Sequence, residues 1–352
     1  AKTAVAAEGK STSDVERAWR RHCPTGDAED SLMVVSAEGS WLVDAAGRRF
    51  LDCAGGGTRP LGWIHSALTN IEIPLVGSGE SVVWPESVEL AAALAEATPG
   101  GTNRRVLLCQ SGREALARGI ELARQVTGRS GVLYLSGSAA MDASRLEGVA
   151  AVVAHPFDAR LAAARAAADR GGAWLVDDET RIAPGTTGRM LAVEHSGVRP
   201  DLYVLGPGAA AGLPFGAAVT GSSKHCWREG ADNPSRAACI AGLSYLRLLK
   251  SGLVDRGTAI GDRFERGAKD GPDWSRGKWF GIGTHWSLVF DGPRPDIGRL
   301  VAACRERGLL VGAAGAASIA VRPALVITDS ELDTALDALA GAVRDVARRL
   351  VG

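Results

Sequence analysis

Two side chains that can exchange protons lie at the ends of predicted buried strands. His155 follows the apolar run Val149–Ala154, and Asp178 follows the run 174–177. Ligands of open α/β sheets bind beyond the carboxyl ends of the strands, so we expect both side chains to face one pocket. A histidine and a carboxylate in one pocket can act as general acid and base. We therefore predict that His155 and Asp178 are catalytic. Two alternatives stay open: His155 is a hydrogen-bonded turn residue, and Asp178 pairs with Arg181 or a backbone N–H.

Nearby residues supply anion-binding chemistry. Arg181 lies three residues after Asp178, and Ser111, Gly112 and Arg113 form a turn at the start of a predicted helix. The N–H groups and the dipole at a helix start favour an anion, and a guanidinium binds carboxylate or phosphate through paired hydrogen bonds. We predict that these three turn residues and Arg181 bind the substrate.

The charge balance argues against several classes of partner. The chain has 352 residues, with 40 basic and 40 acidic side chains. This balance leaves no net positive charge that would attract nucleic acid or an anionic membrane. No apolar run reaches the roughly 18 residues of a membrane span, and residues 1–21 lack the apolar core of a signal peptide. We expect a cytoplasmic protein that binds a small-molecule substrate, and neither nucleic acid nor a membrane.

The six cysteines are scattered along the chain without a CxxC pair. In a chain of this size they indicate free, mostly buried thiols in a reducing compartment. The two adjacent His-Cys pairs, at 22–23 and 225–226, lack the ligand spacing of a zinc site. We therefore expect no metal ion.

Strand and helix patterns alternate through the middle of the chain. Alternating polarity predicts a hairpin over residues 40–52, and Pro85 begins a predicted helix that ends at Ala97. Continuous apolar strands then alternate with helices from residue 105 to residue 205. This pattern predicts a parallel sheet that is covered by helices on both faces.

The last third of the chain has a different pattern. A predicted helix over 235–250 is followed by a polar loop that contains Trp274 and Trp279, and then by shorter strands and helices that end with a helix over 331–350. We therefore predict three regions: an N-terminal arm and hairpin of the small domain (1–50), a large α/β domain (51–232) and a C-terminal α+β small domain (233–352).

Motifs along almost the whole chain resemble those of the class III (ornithine/GABA-type) aminotransferases. No single motif is specific, and the resemblance rests on their number and order. The matching motifs are Gly39-Ser-Trp-Leu-Val-Asp44, Leu61-Gly-Trp-Ile-His65, Ser111-Gly-Arg-Glu-Ala115, Asp178-Glu179, Thr187-Gly-Arg-Met190, Glu194-His-Ser-Gly-Val198, Gly212-Leu-Pro-Phe-Gly-Ala217 and Asn233-Pro234. The resemblance implies an α/β protein of PLP-transferase fold type I, with a large domain built on a mainly parallel seven-stranded-type sheet and a small α+β C-terminal domain. It also implies a homodimer.

The same resemblance implies that the cofactor site is degenerate. Pro207 stands where the family carries the lysine that forms a Schiff base with pyridoxal phosphate, and proline has no amine. Ala139 replaces the aromatic residue that stacks on the pyridine ring. Glu229 lies near the position of a phosphate-binding threonine, where its charge would repel a phosphate. Asp178, which matches the partner of the pyridinium nitrogen, is kept. We therefore predict that the chain uses no cofactor.

Three further residues are predicted to contact the substrate. The substrate-carboxylate arginine of part of the family aligns with Ala320, and Arg322 lies two residues further on, on the same side of a predicted strand. Glu229 is expected near the old phosphate position, and Trp84 near the expected cleft. For Trp84, packing in the core or at a dimer contact stays open as the alternative.

Three functions are compatible with these residues. The first is an enzyme repurposed for PLP-independent acid–base chemistry, such as cyclisation, isomerisation, dehydration or condensation, on a small biosynthetic metabolite of secondary metabolism. It predicts a polar, closed cavity that contains His155 or Asp178. The second is a non-catalytic pseudoenzyme that partners an active homologue, which predicts a collapsed cavity and a large exposed apolar patch. The third is a residual PLP- or PMP-dependent aminotransferase-like enzyme that holds its cofactor non-covalently.

Overall fold

The computed structural model describes residues 12–22, 32–69, 83–100, 103–135, 146–222, 224–228, 230–270, 277–290 and 296–351. Two predicted site residues, Ala139 and Glu229, lie outside the described residues, and so does Trp274.

The described residues form fourteen strands and nine α-helices. The strands are β1 Val34–Glu38, β2 Trp41–Asp44, β3 Arg49–Asp52, β4 Val106–Cys109, β5 Gly131–Tyr134, β6 Val149–Ala154, β7 Trp174–Glu179, β8 Leu202–Leu205, β9 Gly216–Thr220, β10 Gly277–Ile282, β11 His285–Phe290, β12 Leu309–Leu310, β13 Gly312–Ala313 and β14 Ser318–Val321. The helices are α1 Thr12–His22, α2 Ser66–Thr69, α3 Pro85–Ala97, α4 Gly112–Thr127, α5 Leu161–Gly171, α6 Arg236–Leu248, α7 Val254–Asp270, α8 Ile297–Glu306 and α9 Asp329–Val351.

A six-stranded sheet in the order β4-β9-β8-β7-β6-β5 forms the centre of the fold. Strands β5 to β8 pair in parallel, whereas β9 is antiparallel to both β8 and β4. Five of the six strands therefore run in one direction, which confirms the predicted mainly parallel sheet. Within the described residues this sheet has six strands rather than the seven that the resemblance implied. All residues of β8 and β9 are buried, as expected for strands covered on both faces.

Helices pack on both faces of this sheet. Helix α4 buries Ala115, Ile120 and Ala123 against Val176 and Val204 on one face. Leucines of α3 and α5 belong to the apolar cluster that contains Leu175 and Leu205. Neighbouring residues of β7 thus point to opposite faces, as the two-residue repeat of a strand requires. The consequence for the site is that Asp178 and Asp177 lie on different faces of the sheet.

Two four-stranded sheets complete the described structure, in the orders β1-β2-β3-β12 and β10-β11-β14-β13. The predicted hairpin is confirmed, because β2 and β3 pair antiparallel with Trp41 opposite Leu51. Strand β12 pairs in parallel with β3, with Leu309 opposite Leu51. The hairpin and the C-terminal part therefore share a sheet, and the division into three regions at residues 50 and 232 stays a proposal.

The predicted polar loop after α6 is wrong. Helix α7 and strand β10 occupy most of this segment. Ile260, Phe264 and Ala268, spaced four residues apart, are buried along one side of α7, which is the spacing of an amphipathic helix. The three glycines of this helix lower its intrinsic helix propensity, and its many charged side chains resemble those of a loop.

Among the described residues, the helical stretch 236–269 is long and apolar enough to cross a membrane by length and composition alone. Half of its most apolar window is buried inside the protein, and a buried core helix of a soluble protein passes the same test. This feature is weak evidence for a membrane span.

Candidate active site

Three of the predicted site residues line a single cavity. His155, Arg181 and Arg322 border a space of about 410 Å³. They come from three separate parts of the chain: the end of β6, the turn after β7 and the end of β14. The other lining residues that the structure describes are Phe157, Ile182, Phe280, Gly281, Ile282, His285, Trp286 and Ser287.

The pairing of β11 with β14 positions Arg322 at the cavity. Trp286 lies opposite Val321, and Ser287 lies opposite Ala320. One step further along the same antiparallel register, Arg322 is opposite His285. Because side chains alternate between the faces of a strand, His285 and Ser287 point to the same side, and both line the cavity.

Gly57 marks the point where these residues converge. A Cβ atom at Gly57 would lie 2.6 Å from the Arg181 carbonyl oxygen, 3.2 Å from His285 Cε1 and 3.6 Å from Arg322 Cδ. The Arg322 carbonyl also accepts a hydrogen bond of 2.8 Å from the Gly56 N–H. The absence of a side chain at Gly57 thus allows the turn after β7 and the end of β14 to approach each other.

The cavity carries concentrated positive charge. Within the described residues, the guanidinium groups of Arg181 and Arg322 make no hydrogen bond and no ion pair with another side chain. Burial lowers the pKa of Arg322, and the nearby charge of Arg181 lowers it further. The described lining residues include no aspartate and no glutamate. The cavity is therefore suited to an anion.

His285 is a neutral group in the wall of the cavity. Burial lowers its pKa to about 3, and the Arg322 charge contributes in the same direction. The Thr186 hydroxyl donates to the Ala183 carbonyl at 2.6 Å, and its oxygen lies 2.9 Å from His285 Nε2. Because the single hydroxyl proton is already used, His285 must donate from Nε2, which leaves Nδ1 as an acceptor.

His155 is the lining residue best suited to proton transfer. Its side chain is exposed, its ring centroid lies 5.4 Å from that of Phe157, and its Nδ1 accepts the Phe157 N–H at 3.4 Å, the turn hydrogen bond that the sequence left open as the alternative. Desolvation lowers its pKa, the Asp178 charge opposes this shift, and the Arg322 charge adds to it. A neutral imidazole with a pKa below its ordinary value can accept a proton near neutral pH.

Asp178 is near His155 but is not among the described lining residues of the cavity. Its Oδ1 accepts hydrogen bonds from the Thr180 N–H at 3.0 Å and from the Thr180 hydroxyl at 2.7 Å. The structure therefore has the backbone partner that the sequence left open as an alternative, rather than a bond to Arg181. Asp178 acts on His155 through its charge.

Two side-chain oxygens make hydrogen bonds at the start of α4. Ser111 Oγ accepts the Glu114 N–H at 3.2 Å, and Glu114 Oε2 accepts the Gln110 N–H at 2.9 Å. The Glu114 carboxylate thus adds negative charge at the helix start. Among the described residues, Ser111, Gly112 and Arg113 are not part of the cavity lining.

Trp84 and Pro207 lie elsewhere. Trp84 precedes α3, and the Arg236 guanidinium lies 5.4 Å from the centroid of its ring. Arg236 also pairs with Glu86 at 2.6 Å, so this tryptophan belongs to the contact between α3 and α6. Pro207 begins a short 3-10 turn after β8. Neither residue is among the described residues that line the cavity.

Sequence reasoning missed His285, Ser287 and the aromatic residues Phe157 and Phe280. The polar residues at 285 and 287 are separated by one apolar residue, a spacing that places both on one face of β11. Phe157 lies two residues after His155 in the same turn. Only the spatial arrangement of β10, β11 and β14 brings these groups together.

A second unpredicted feature is a buried acid pair on the other face of β7. Asp177 and Glu179 are both fully buried. The Glu179 carboxylate accepts the N–H groups of Ala192 and Val193 at 3.0 and 2.9 Å, whereas within the described residues neither oxygen of Asp177 has a partner. Burial raises the pKa of Glu179 to about 7 and raises the pKa of Asp177 well above its ordinary value.

Comparison with known proteins identifies the family. The family model for class-III aminotransferases matches residues 149–343, more than half of the chain. The acetylornithine aminotransferase of Mycobacterium leprae is 28% identical over 390 residues, which cover 94% of this chain and 95% of the relative. The 5-aminovalerate aminotransferase DavT of Pseudomonas putida is 23% identical and covers 87% of this chain and 92% of its own length.

Solved structures match the fold. An S-selective transaminase from Bacillus megaterium has a TM-score of 0.82 at 17% identity, covering 96% of this chain and 98% of the transaminase. The ornithine delta-aminotransferase of Plasmodium falciparum has a TM-score of 0.81 at 16% identity, and the match covers 97% of this chain and 100% of the aminotransferase. The architecture is the α/β fold of PLP-dependent transferases of fold type I. The chain belongs to the class-III aminotransferase family.

Proposed function

We propose that this chain is an aminotransferase-fold enzyme that has lost the Schiff-base lysine and performs acid–base chemistry without PLP. The substrate is a small biosynthetic metabolite, and the reaction is a cyclisation, isomerisation, dehydration or condensation. The observation that carries this proposal is the shared cavity of His155, Arg181 and Arg322. The cavity is retained, unlike the collapsed cavity expected for a pseudoenzyme, and two arginines and two histidines line it. It is partly open to solvent, whereas this function predicted a closed cavity.

Two features argue against a fit to pyridoxal phosphate. Pro207 has no amine to form the Schiff base, and no lysine is among the described residues that line the cavity. We therefore derive no step through this cofactor.

The chain's own side chains have separate roles in the proposed reaction. Arg181 and Arg322 bind the anionic part of the substrate and orient it, because each guanidinium offers a planar fork of N–H donors. His155 accepts and returns a proton at the reacting carbon or oxygen. Asp178 is a positioning residue, whose charge favours the protonated form of His155 after the transfer.

A second candidate is a PLP- or PMP-dependent enzyme that holds its cofactor non-covalently. Its support is the presence of Asp178 at the position of the pyridinium partner, together with membership of the class-III aminotransferase family. This candidate requires cofactor uptake by the purified protein, whereas the first candidate requires activity in its absence.

We also propose a cytoplasmic homodimer. The support is membership of the class-III aminotransferase family, and we expect a dimer to cover Ile64, Val83 and Val88, whose exposed fractions in the single chain are 61%, 64% and 59%. Light scattering during size-exclusion chromatography is expected to give twice the mass of one chain. A monomer at micromolar concentration would contradict the dimer.

Proton exchange tests the proposed chemistry directly. Cofactor-free protein is incubated in deuterated water with a panel of small carboxylic acids and phosphate esters, and exchange at carbon is followed by NMR. We expect exchange with at least one compound, reduced by about 100-fold or more in His155→Gln. His65→Gln, which changes a histidine outside the described cavity lining, is the matched control. Equal exchange in His155→Gln, or exchange that requires added PLP, would contradict the proposal.

A further inference from the structure

The charges around the cavity restrict the kind of molecule that can enter it. Two guanidinium groups border it, and the described lining residues include no carboxylate. His285 is held neutral by its burial, and His155 also has a lowered pKa. A ligand that carries an ammonium group would place it beside two like charges without a counter-ion, which is unfavourable. Among these residues the amino group of an amino acid therefore meets only neutral acceptors, such as His285 Nδ1 and the Ser287 hydroxyl, and no carboxylate.

The two arginines provide two separate anchors. Arg181 lies in the turn after β7 of the large sheet, and Arg322 follows β14 of a different sheet. Their approach is close enough for the charge of Arg181 to act on Arg322. Repulsion between two guanidiniums without a carboxylate partner is relieved when negative charge lies between them.

Aromatic side chains border the space beside the arginines. Phe157 and Phe280 have exposed fractions of 41% and 58%, and Trp286 lines the same cavity. Exposed aromatic rings at a cavity favour contact with an apolar part of a ligand. The volume of about 410 Å³ lies in the range of metabolite-binding pockets.

We propose that this cavity selects a small organic dianion that lacks an amino group and has an apolar body. The two negative charges bind Arg181 and Arg322, and the apolar part lies against Phe157 and Phe280. A dicarboxylate and a phosphate monoester share this chemistry. The inference rests on the proposed function only in taking this cavity as the active site, and it distinguishes the chain from enzymes that act on amino acids.

Binding of matched ligands tests this selection. Isothermal titration calorimetry of the full chain with succinate and with aspartate compares two dicarboxylates of the same skeleton, of which only aspartate carries an amine. Phenyl phosphate tests whether a phosphate monoester with an apolar body binds. Inorganic phosphate tests whether a dianion without an apolar body binds. We expect succinate or phenyl phosphate to bind at least about tenfold more tightly than both aspartate and inorganic phosphate.

Variants locate the bound ligand. Arg181→Gln and Arg322→Gln are each expected to weaken the better ligand at least about tenfold, and Arg322→Lys is expected to restore only part of the affinity because it lacks the planar fork. Arg344→Gln, which removes an exposed arginine of α9, is expected to have no effect. Circular dichroism confirms the fold of each variant.

Three results would overturn the inference. The first is that aspartate binds as tightly as succinate. The second is that Arg181→Gln and Arg322→Gln weaken ligand binding no more than Arg344→Gln does. The third is that no dianion binds at millimolar concentration. These readouts require no turnover. If dianions bind but His155→Gln leaves exchange unchanged, the proposed chemistry fails and the inference stands. If exchange depends on His155 but no dianion binds, the inference alone fails.

Discussion

Arg322 lies opposite His285 at the end of the β11/β14 pair, because Trp286 is paired with Val321 in the antiparallel register. Both residues line the same cavity. The positive charge of Arg322 lowers the pKa of His285 and also that of His155. Burial is the main cause of both lowered pKa values, and the arginine that is proposed to bind substrate contributes in the same direction.

Replacement of Arg322 by glutamine is expected to raise the pKa of both histidines. The loss of a nearby positive charge removes a cost of protonating each imidazole. Titration of the imidazole signals by NMR should show the rise, with Arg344→Gln as the control. If His155 is the base, the rising limb of the pH–activity profile should move to higher pH in Arg322→Gln. Unchanged histidine pKa values would contradict the electrostatic link.

The charge of Asp178 is expected to act in the opposite direction. Asp178→Asn removes a negative charge that raises the pKa of His155, so this pKa should fall. Asp158 also raises the pKa of His155 but contributes less, so Asp158→Asn should produce a smaller fall. NMR titration separates this effect from a loss of stability, which would not move the histidine pKa selectively. An equal or larger effect of Asp158→Asn would count against the assigned role of Asp178.

The Ser111 side chain is expected to stabilise the start of α4. It accepts the Glu114 N–H, and removal of such a cap usually costs about 1 kcal/mol. Urea denaturation should show this loss for Ser111→Ala, whereas Ser111→Asp, which keeps an acceptor, should be close to neutral. Equal stability of the alanine variant and the wild type would show that the cap is unimportant.

The buried pair Asp177 and Glu179 is expected to make stability depend on pH. Both folded-state pKa values are raised, so the folded protein binds protons more tightly than the unfolded chain. The stability contribution is present below the unfolded pKa, near pH 4, and is lost as the pH rises through about 7. We expect the free energy of unfolding to fall by roughly 1–3 kcal/mol between about pH 5 and about pH 8.

Asp177→Asn should reduce that fall, because an amide does not ionise. The exposed Asp337 of α9 provides the control Asp337→Asn, which should keep the wild-type pH dependence. Urea denaturation at several pH values measures both variants. A pH dependence that is identical in Asp177→Asn and the wild type would rule out a titrating Asp177.

The sequence predicted the fold where local signals agree with tertiary packing. Pro85 fixes the start of α3, and the predicted end at Ala97 is confirmed. Residues 111–113 were predicted as a turn before a helix, but the helix already starts at Gly112, because Ser111 provides the cap. Helix α7 was missed because its glycines and charges conceal the spacing of Ile260 and Phe264.

The candidate site was predictable only in part. The rule that ligands bind beyond strand ends brings His155 and Arg181 to one region, and the two-residue repeat of a strand suggests Arg322. Gly57 and His285 enter through contacts between distant segments, which no local pattern reveals. The hydrogen bonds of Ser111 and Glu114 at the start of α4 depend on side-chain geometry that a motif does not specify.

Uptake of pyridoxal phosphate and pyridoxamine phosphate by the purified protein tests the central claim most directly. The measurement records near-ultraviolet and visible absorbance together with the thermal denaturation midpoint, before and after each cofactor is added in excess. Because Pro207 is proposed to replace the Schiff-base lysine and has no amine, we predict no cofactor absorbance after desalting and no rise in the midpoint. A retained chromophore, or a midpoint that rises with cofactor concentration, would contradict PLP-independent chemistry and would favour the non-covalent cofactor enzyme.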